Sequence, residues 1–183
     1  MEIVYAAAAV VVAVIVVVGA VYNGLVRRRN RVDATWSDVE VLLRRRHDLV
    51  PNLVSAVQGY AAHESATFQA VTAARAAATG ASGPRDAGSA EAQLTVGVRR
   101  LFAVAEAYPD LKASAAFVDL QQKLTATEDG LEHARQFYND AVFGYNNAIQ
   151  RLPGALLAGP LGFHPRPFFQ ASPAEQAPVT VKP

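Results

Sequence analysis

The sequence predicts an all-α protein: an N-terminal transmembrane helix followed by an antiparallel helical bundle of three main helices plus a short fourth segment. Three observations carry this. Residues Ile3 to Val26 contain no charged side chain, and at about 1.5 Å per residue that run is long enough to cross a hydrocarbon core of roughly 30 Å. Beyond it, apolar residues recur at alternating spacings of three and four, the pattern of a helix packed on one side. No stretch alternates apolar and polar residues as a half-buried strand does.

The apolar run is mostly Val and Ala, with Tyr5 and Tyr22 near its ends, where amphipathic rings suit the two membrane interfaces. Its β-branched content is compatible with a helix, because in lipid each backbone group must find its partner within the segment. Arg27, Arg28, Arg29 and Arg31 follow at once. Clustered arginines flanking a span stay on the cytoplasmic side. The expected location is therefore the cytoplasmic membrane, single-pass, with the N-terminus outside and the C-terminal domain in the cytoplasm. A cleaved signal peptide is the rival reading. Its basic n-region is missing, although Val18-Gly19-Ala20 is a passable cleavage site. Cleavage or inverted topology would make the protein an extracytoplasmic helical adaptor.

The chain has 183 residues and no cysteine, which excludes disulfides, a thiol nucleophile and thiolate zinc ligation. The net charge of +1 hides an asymmetry: residues 32–152 carry 11 Lys+Arg and 14 Asp+Glu, a net of −3, whereas residues 27–31 carry four Arg. A basic base under a mildly acidic body suits a membrane surface and argues against nucleic acid as a partner.

In order along the chain, the first helix of the bundle is expected from Leu25 to about Thr79. Its stripe is Val32, Trp36, Val39, Leu43, Val50, Leu53, Val57 and Tyr60, interrupted only by Arg46. Pro51 falls inside it, removes one backbone bond and predicts a kink near 47–51. Gly80, Gly83, Pro84 and Gly88 predict a linker over about 80–89, with Ser89 capping the second helix. That helix runs to about Ala107, and Tyr108-Pro109-Asp110 turns the chain into a third helix over about 111–151. The third seam is regular: Phe117, Leu120, Leu124, Thr127, Leu131, Ala134, Tyr138, Ala141 and Tyr145. From Pro153 the composition changes, with seven of the ten prolines between 153 and 183. The predicted organisation is a transmembrane anchor at 1–26, a helical bundle at 27–152, a Pro/Phe-rich docking segment at 153–170 with one short turn at Ala155 to Ala158, and a disordered tail at 171–183.

Several blocks, in order, resemble one family. They are Tyr22-Asn23-Gly24-Leu25-Val26-Arg27 with Arg29-Asn30-Arg31-Val32, then Trp36-Ser37-Asp38-Val39, then the run from Arg45 to Val54 around His47-Asp48 and Pro51-Asn52. Ala107-Tyr108-Pro109-Asp110-Leu111-Lys112-Ala113, the run from Ala134 to Val142 with Tyr145-Asn146, and the terminal box Phe163, Pro165, Arg166, Phe168 and Phe169 complete the set. These look like the LemA family. The departures are Pro153-Gly154 and Gly159-Pro160, before the terminal box. The resemblance implies an N-terminal anchor, a cytoplasmic helical bundle and no established catalytic activity, with some relatives associated with bacterial membrane compartments.

Candidate chemistry is sparse. His47, Asp48, Pro51 and Asn52 mark a helix kink. One reading is a polar site there with Arg44 to Arg46; the other is that Asp48 and Asn52 satisfy the backbone groups the proline frees. The four histidines, His47, His63, His133 and His164, form no metal signature: the residue four after His63 is Thr67. No phosphate loop occurs. No cofactor is predicted. The expected function is a single-pass membrane-anchored helical scaffold, self-associating, with a further membrane-protein partner unidentified. The candidate interaction seam is Phe117, Leu120, Leu124, Leu131, Tyr138 and Tyr145. An uncharacterised hydrolase or metal enzyme is the alternative of another class.

Overall fold

The computed structural model describes residues 1–169; the predicted tail at 171–183 lies outside them. The described residues are helical with no strand, in the order α1 (Glu2–Gln58), α2 (Ser65–Gly80), α3 (Gly83–Ala105), α4 (Pro109–Ala113), α5 (Ala115–Gln150) and α6 (Gly154–Leu157). The all-α expectation is therefore met. The chain forms two compact units. One comprises Met1–Ser37 with Phe137–Pro167, the other Asp38–Gln136 with Phe168 and Phe169.

Three boundaries differ from the expected ones. The first helix does not run to Thr79. It ends at Gln58, where Gly59 opens a turn, and α2 is a separate element. Glycine loses more backbone freedom in a helix than any other residue, and the apolar stripe stops there too, since Tyr60 is exposed. The predicted linker over 80–89 shrinks to Ala81 and Ser82. Pro84 stands in the first turn of α3, where its missing N–H has no helical partner to lose and its fixed φ suits the helix. Ser89 is therefore not a cap: it lies inside α3, and its hydroxyl donates to the Asp86 carbonyl at 3.0 Å. The third long helix is preceded by the short α4, with Pro109 again in the first turn.

In the unit around Asp38–Gln136, the expected stripe of α1 is buried. Val50, Leu53 and Val57 join Phe68 and Val71 of α2, Leu94, Val98 and Leu101 of α3, Leu111 of α4, and Phe117 and Leu124 of α5 in one apolar core. Gly97 lets α2 and α3 approach, because a Cβ there would lie 3.1 Å from Val71 Cγ2. In the unit around Met1–Ser37, α1 changes character along its length. None of its most apolar 18-residue window is buried, whereas Leu25 and Val32 are buried against the chain. Arg28 Nη1 donates to the Gly144 carbonyl at 3.4 Å, and Trp36 lies 5.2 Å from the Tyr138 ring, so α1 and α5 run antiparallel there.

Candidate functional site

Arg46, the residue that interrupts the apolar stripe of α1, is 1 % exposed. Its guanidinium reaches three partners: Nη1 donates to Glu91 Oε2 of α3 at 2.7 Å, while Nη2 donates to Thr95 Oγ1 at 2.7 Å and to Glu128 Oε1 of α5 at 3.2 Å. His47 Nε2 meets the other oxygen of Glu91. Glu91 is itself 1 % exposed, so each carboxylate oxygen is held by a different side chain of α1. Arg46 Nε is buried without a hydrogen-bond partner among the described residues. A polar groove of about 400 Å³ opens beside this cluster, with Arg99, Glu128 and Arg135 on its walls.

α1 is continuous through Pro51, and the carbonyl that the proline leaves free finds its donor on another helix. Pro51 cannot donate to the His47 carbonyl. Arg75 of α2 does so instead, Nε to oxygen at 2.7 Å. Asp48, Pro51 and Asn52 are exposed, so the freed carbonyl is satisfied from another helix and not by the local Asp48 or Asn52. Helical geometry explains the split of His47 from Asp48: consecutive residues lie about 100° apart, so one side chain enters the bundle as the other leaves it. Of the three successive arginines only Arg46 is buried; Arg44 and Arg45 are exposed.

The second cluster holds the terminal box. Residues 163–167, in the unit around Met1–Ser37, have no regular structure and bond to α1 and α5 of that unit. Pro165 and Pro167 lack N–H groups, so Arg166 is the only main-chain donor between them. Asn146 matches it on both sides: Arg166 N donates to Asn146 Oδ1 and Asn146 Nδ2 donates to Arg166 O, each at 2.9 Å. Tyr145 donates to the His164 carbonyl at 3.0 Å and Tyr138 to the Pro167 carbonyl at 2.7 Å. The Arg166 side chain pairs with Asp33 of α1 at 2.9 Å. Phe163 is buried with Tyr22 edge-on at 5.8 Å and the Arg29 guanidinium 5.3 Å from its ring centre. In the other unit, Arg135 lies over the Phe169 ring at 4.6 Å. Burial pushes the Tyr138 hydroxyl up to about 12 and raises Tyr145 too, against the opposing pull of the Arg166 charge in both cases.

The predicted seam is occupied within the chain. Phe117, Leu124, Leu131, Tyr138 and Tyr145 are all buried, and Leu120 is partly buried. Of the flanking arginines, Arg27, Arg28 and Arg31 are exposed and Arg29 is half-buried over Phe163. Glu91 carries no motif in the sequence. Its role needed the knowledge that α3 packs against Arg46.

The LemA family model matches residues 35–182. The chain belongs to the LemA family. It is also similar to magnetosome proteins MamQ 1 and MamQ 2 of Paramagnetospirillum magneticum (strain ATCC 700264 / AMB-1), each 28 % identical over 86 % of this chain and 68 % of the relative. MamQ of Magnetospirillum gryphiswaldense (strain DSM 6361 / JCM 21280 / NBRC 15271 / MSR-1) is 27 % identical over the same shares. This LemA-family chain is a helical, membrane-associated protein, and among its described residues one helix, α1, is long and apolar enough to cross a bilayer. Neither the family nor the relatives' names point to catalysis. Among its described residues no group of three or more Asp, Glu or His is placed to hold a metal ion.

Proposed function

We propose that this protein is a single-pass membrane scaffold without catalysis, with its N-terminus outside, its helical domain in the cytoplasm, and copies associating with one another. One observation carries the reading: the first turns of α1 are apolar and exposed, whereas further along the same helix one face is buried against the chain, beginning with Leu25 and Val32. The interior charges support a non-catalytic role, since Glu91 is engaged by Arg46 and His47 at both oxygens and offers no free base. Because five of the six seam residues are buried, self-association falls to exposed groups. These are the small pair Ala9 and Ala13 in the span, which lets helices approach closely, and Phe137 and Phe143 of α5, 63 % and 61 % exposed.

Fusions test topology. A fluorescent protein at the C-terminus will be bright and alkaline phosphatase after Lys182 inactive; active phosphatase overturns the cytoplasmic assignment. Mass in mild detergent tests association, with Phe137→Ser and Phe143→Ser shifting the protein toward monomer. A wild-type monomer that also fails to crosslink in membranes ends the self-association reading.

A further inference from the structure

The α5–α6 turn lies beside the last turns of the apolar run. Val21 and Gly24 of α1 share a cavity of about 460 Å³ with Ala148, Leu152 and Pro153. Val21 precedes Arg27 by six residues, about 9 Å along a helix, so the turn reaches past the arginines to the level of the apolar segment. Its leucines face outward: Leu152 is 74 %, Leu156 70 % and Leu161 39 % exposed. They are held there. Gly154 is pressed against the end of α5, where a Cβ would sit 2.0 Å from the Ala148 carbonyl oxygen. Ala155 N donates to Arg151 O and Phe163 N to Ala158 O, both at 2.9 Å. The charge around them has one sign. No Asp or Glu occurs from Ala141 to Phe169, and Arg27, Arg28 and Arg151 are exposed.

We propose that the turn from Arg151 to Leu161 is a second membrane contact, seated on the anionic phospholipid surface of the bilayer that α1 crosses. Leu152, Leu156 and Leu161 enter the boundary between headgroups and acyl chains, the depth at which monotopic apolar faces rest. Arg28 and Arg151 face lipid phosphates. Tyr22, 44 % exposed, occupies the interfacial belt that aromatic side chains favour. The contact gives the domain a footing beside its anchor, which a single helix alone does not provide. This proposal rests on the reading of α1 as a membrane span.

The absence of native cysteine makes the test direct. Nitroxides are placed on the full-length chain at Leu152→Cys and Leu156→Cys, with Val12→Cys reporting the span and Asp140→Cys reporting solvent on α5. In nanodiscs of phosphatidylcholine containing phosphatidylglycerol, labels at 152 and 156 will collide with oxygen and be several-fold less accessible to an aqueous nickel chelate than the label at 140. Accessibility at 152 and 156 equal to that at 140, with 12 still shielded, overturns the contact and leaves the anchor standing. A nickel-accessible label at 12 removes the anchor and the contact together. Mutual broadening between labels at 156 assigns this face to a second copy and also overturns the proposal. Discs of phosphatidylcholine alone will raise nickel access at 156; unchanged access overturns the role given to Arg28 and Arg151.

Discussion

The two units of this protein satisfy their interior polar groups by opposite means. In the unit around Asp38–Gln136 the buried partners are mostly ionic: Arg46 and His47 close on Glu91, with Thr95 and Glu128 also accepting from the guanidinium. In the unit around Met1–Ser37 they are mostly neutral, with two tyrosines and an asparagine capturing main-chain groups of a proline-rich strap. The difference sets what a lost partner costs. Removing one member of a buried ion pair strands a charge and costs about 3–5 kcal/mol. A neutral hydrogen bond contributes about 0.5–1.5 kcal/mol net. The ionic cluster therefore punishes errors of packing, because a placement of α3 that takes Glu91 away from Arg46 strands a buried charge. The strap is held by several moderate bonds, each replaceable.

The largest expected effect is Glu91→Ala, which leaves Arg46 without its main counter-charge and should cost about 3–5 kcal/mol in denaturation followed by circular dichroism in mild detergent. The pair Arg46→Met with Glu91→Leu should lose much less, since apolar replacement of a whole buried pair is often neutral. A single Glu91→Ala that costs no more than Asn146→Ala would erase the distinction between the units.

An intermediate effect separates the proline from its substitute donor. Arg75→Met leaves the His47 carbonyl unpaired and should cost about 1–3 kcal/mol. Pro51→Ala restores the N–H that an ordinary helix supplies. In the Pro51→Ala background the same Arg75→Met change should cost less than half as much. Equal costs in both backgrounds would show that Arg75 stabilises α2 by some route other than this carbonyl.

The smallest effect at neutral pH is Tyr138→Phe, the loss of one bond to the Pro167 carbonyl, about 1 kcal/mol. Its pH dependence is more telling. Burial holds the folded hydroxyl up to about 12 against an ordinary 10.0, so the folded state keeps a proton that the unfolded state sheds. The contribution is present below about pH 10 and is lost as pH climbs toward about 12. Urea unfolding of wild type should weaken more steeply over that window than Tyr138→Phe, which retains only the slope from Tyr145. Parallel slopes would mean that Tyr138 is not kept from solvent.

The resemblance had marked most of the strap and its receptor: Phe163, Pro165 and Arg166 on one side, Tyr138, Tyr145 and Asn146 on the other. It did not say that they meet. The seam illustrates the same limit. Its period correctly placed Phe117, Leu124, Leu131, Tyr138 and Tyr145 on one face of α5, but a period cannot tell whether the covering surface belongs to the same chain. The breaks were less legible, because a proline or glycine carries one meaning at a helix start and another inside it. Pro84 and Pro109 open helices, Pro51 lies within one, and Gly88 is buried in α3 where a linker was expected.

Local chemistry by itself determined the apolar segment, the arginines that follow it, the helical class and the inward face of each long helix, since these depend on hydrophobicity and on periods of a few residues. Only the tertiary structure decided that Arg46, an apparent flaw in an apolar stripe, is the centre of a buried ion cluster, that Arg75 answers for Pro51, and that the main chain of Arg166 pairs with Asn146. Those pairings join residues 20 to 82 positions apart. A charge in an apolar face reads as an exposed interruption until the folded chain supplies its counter-charge.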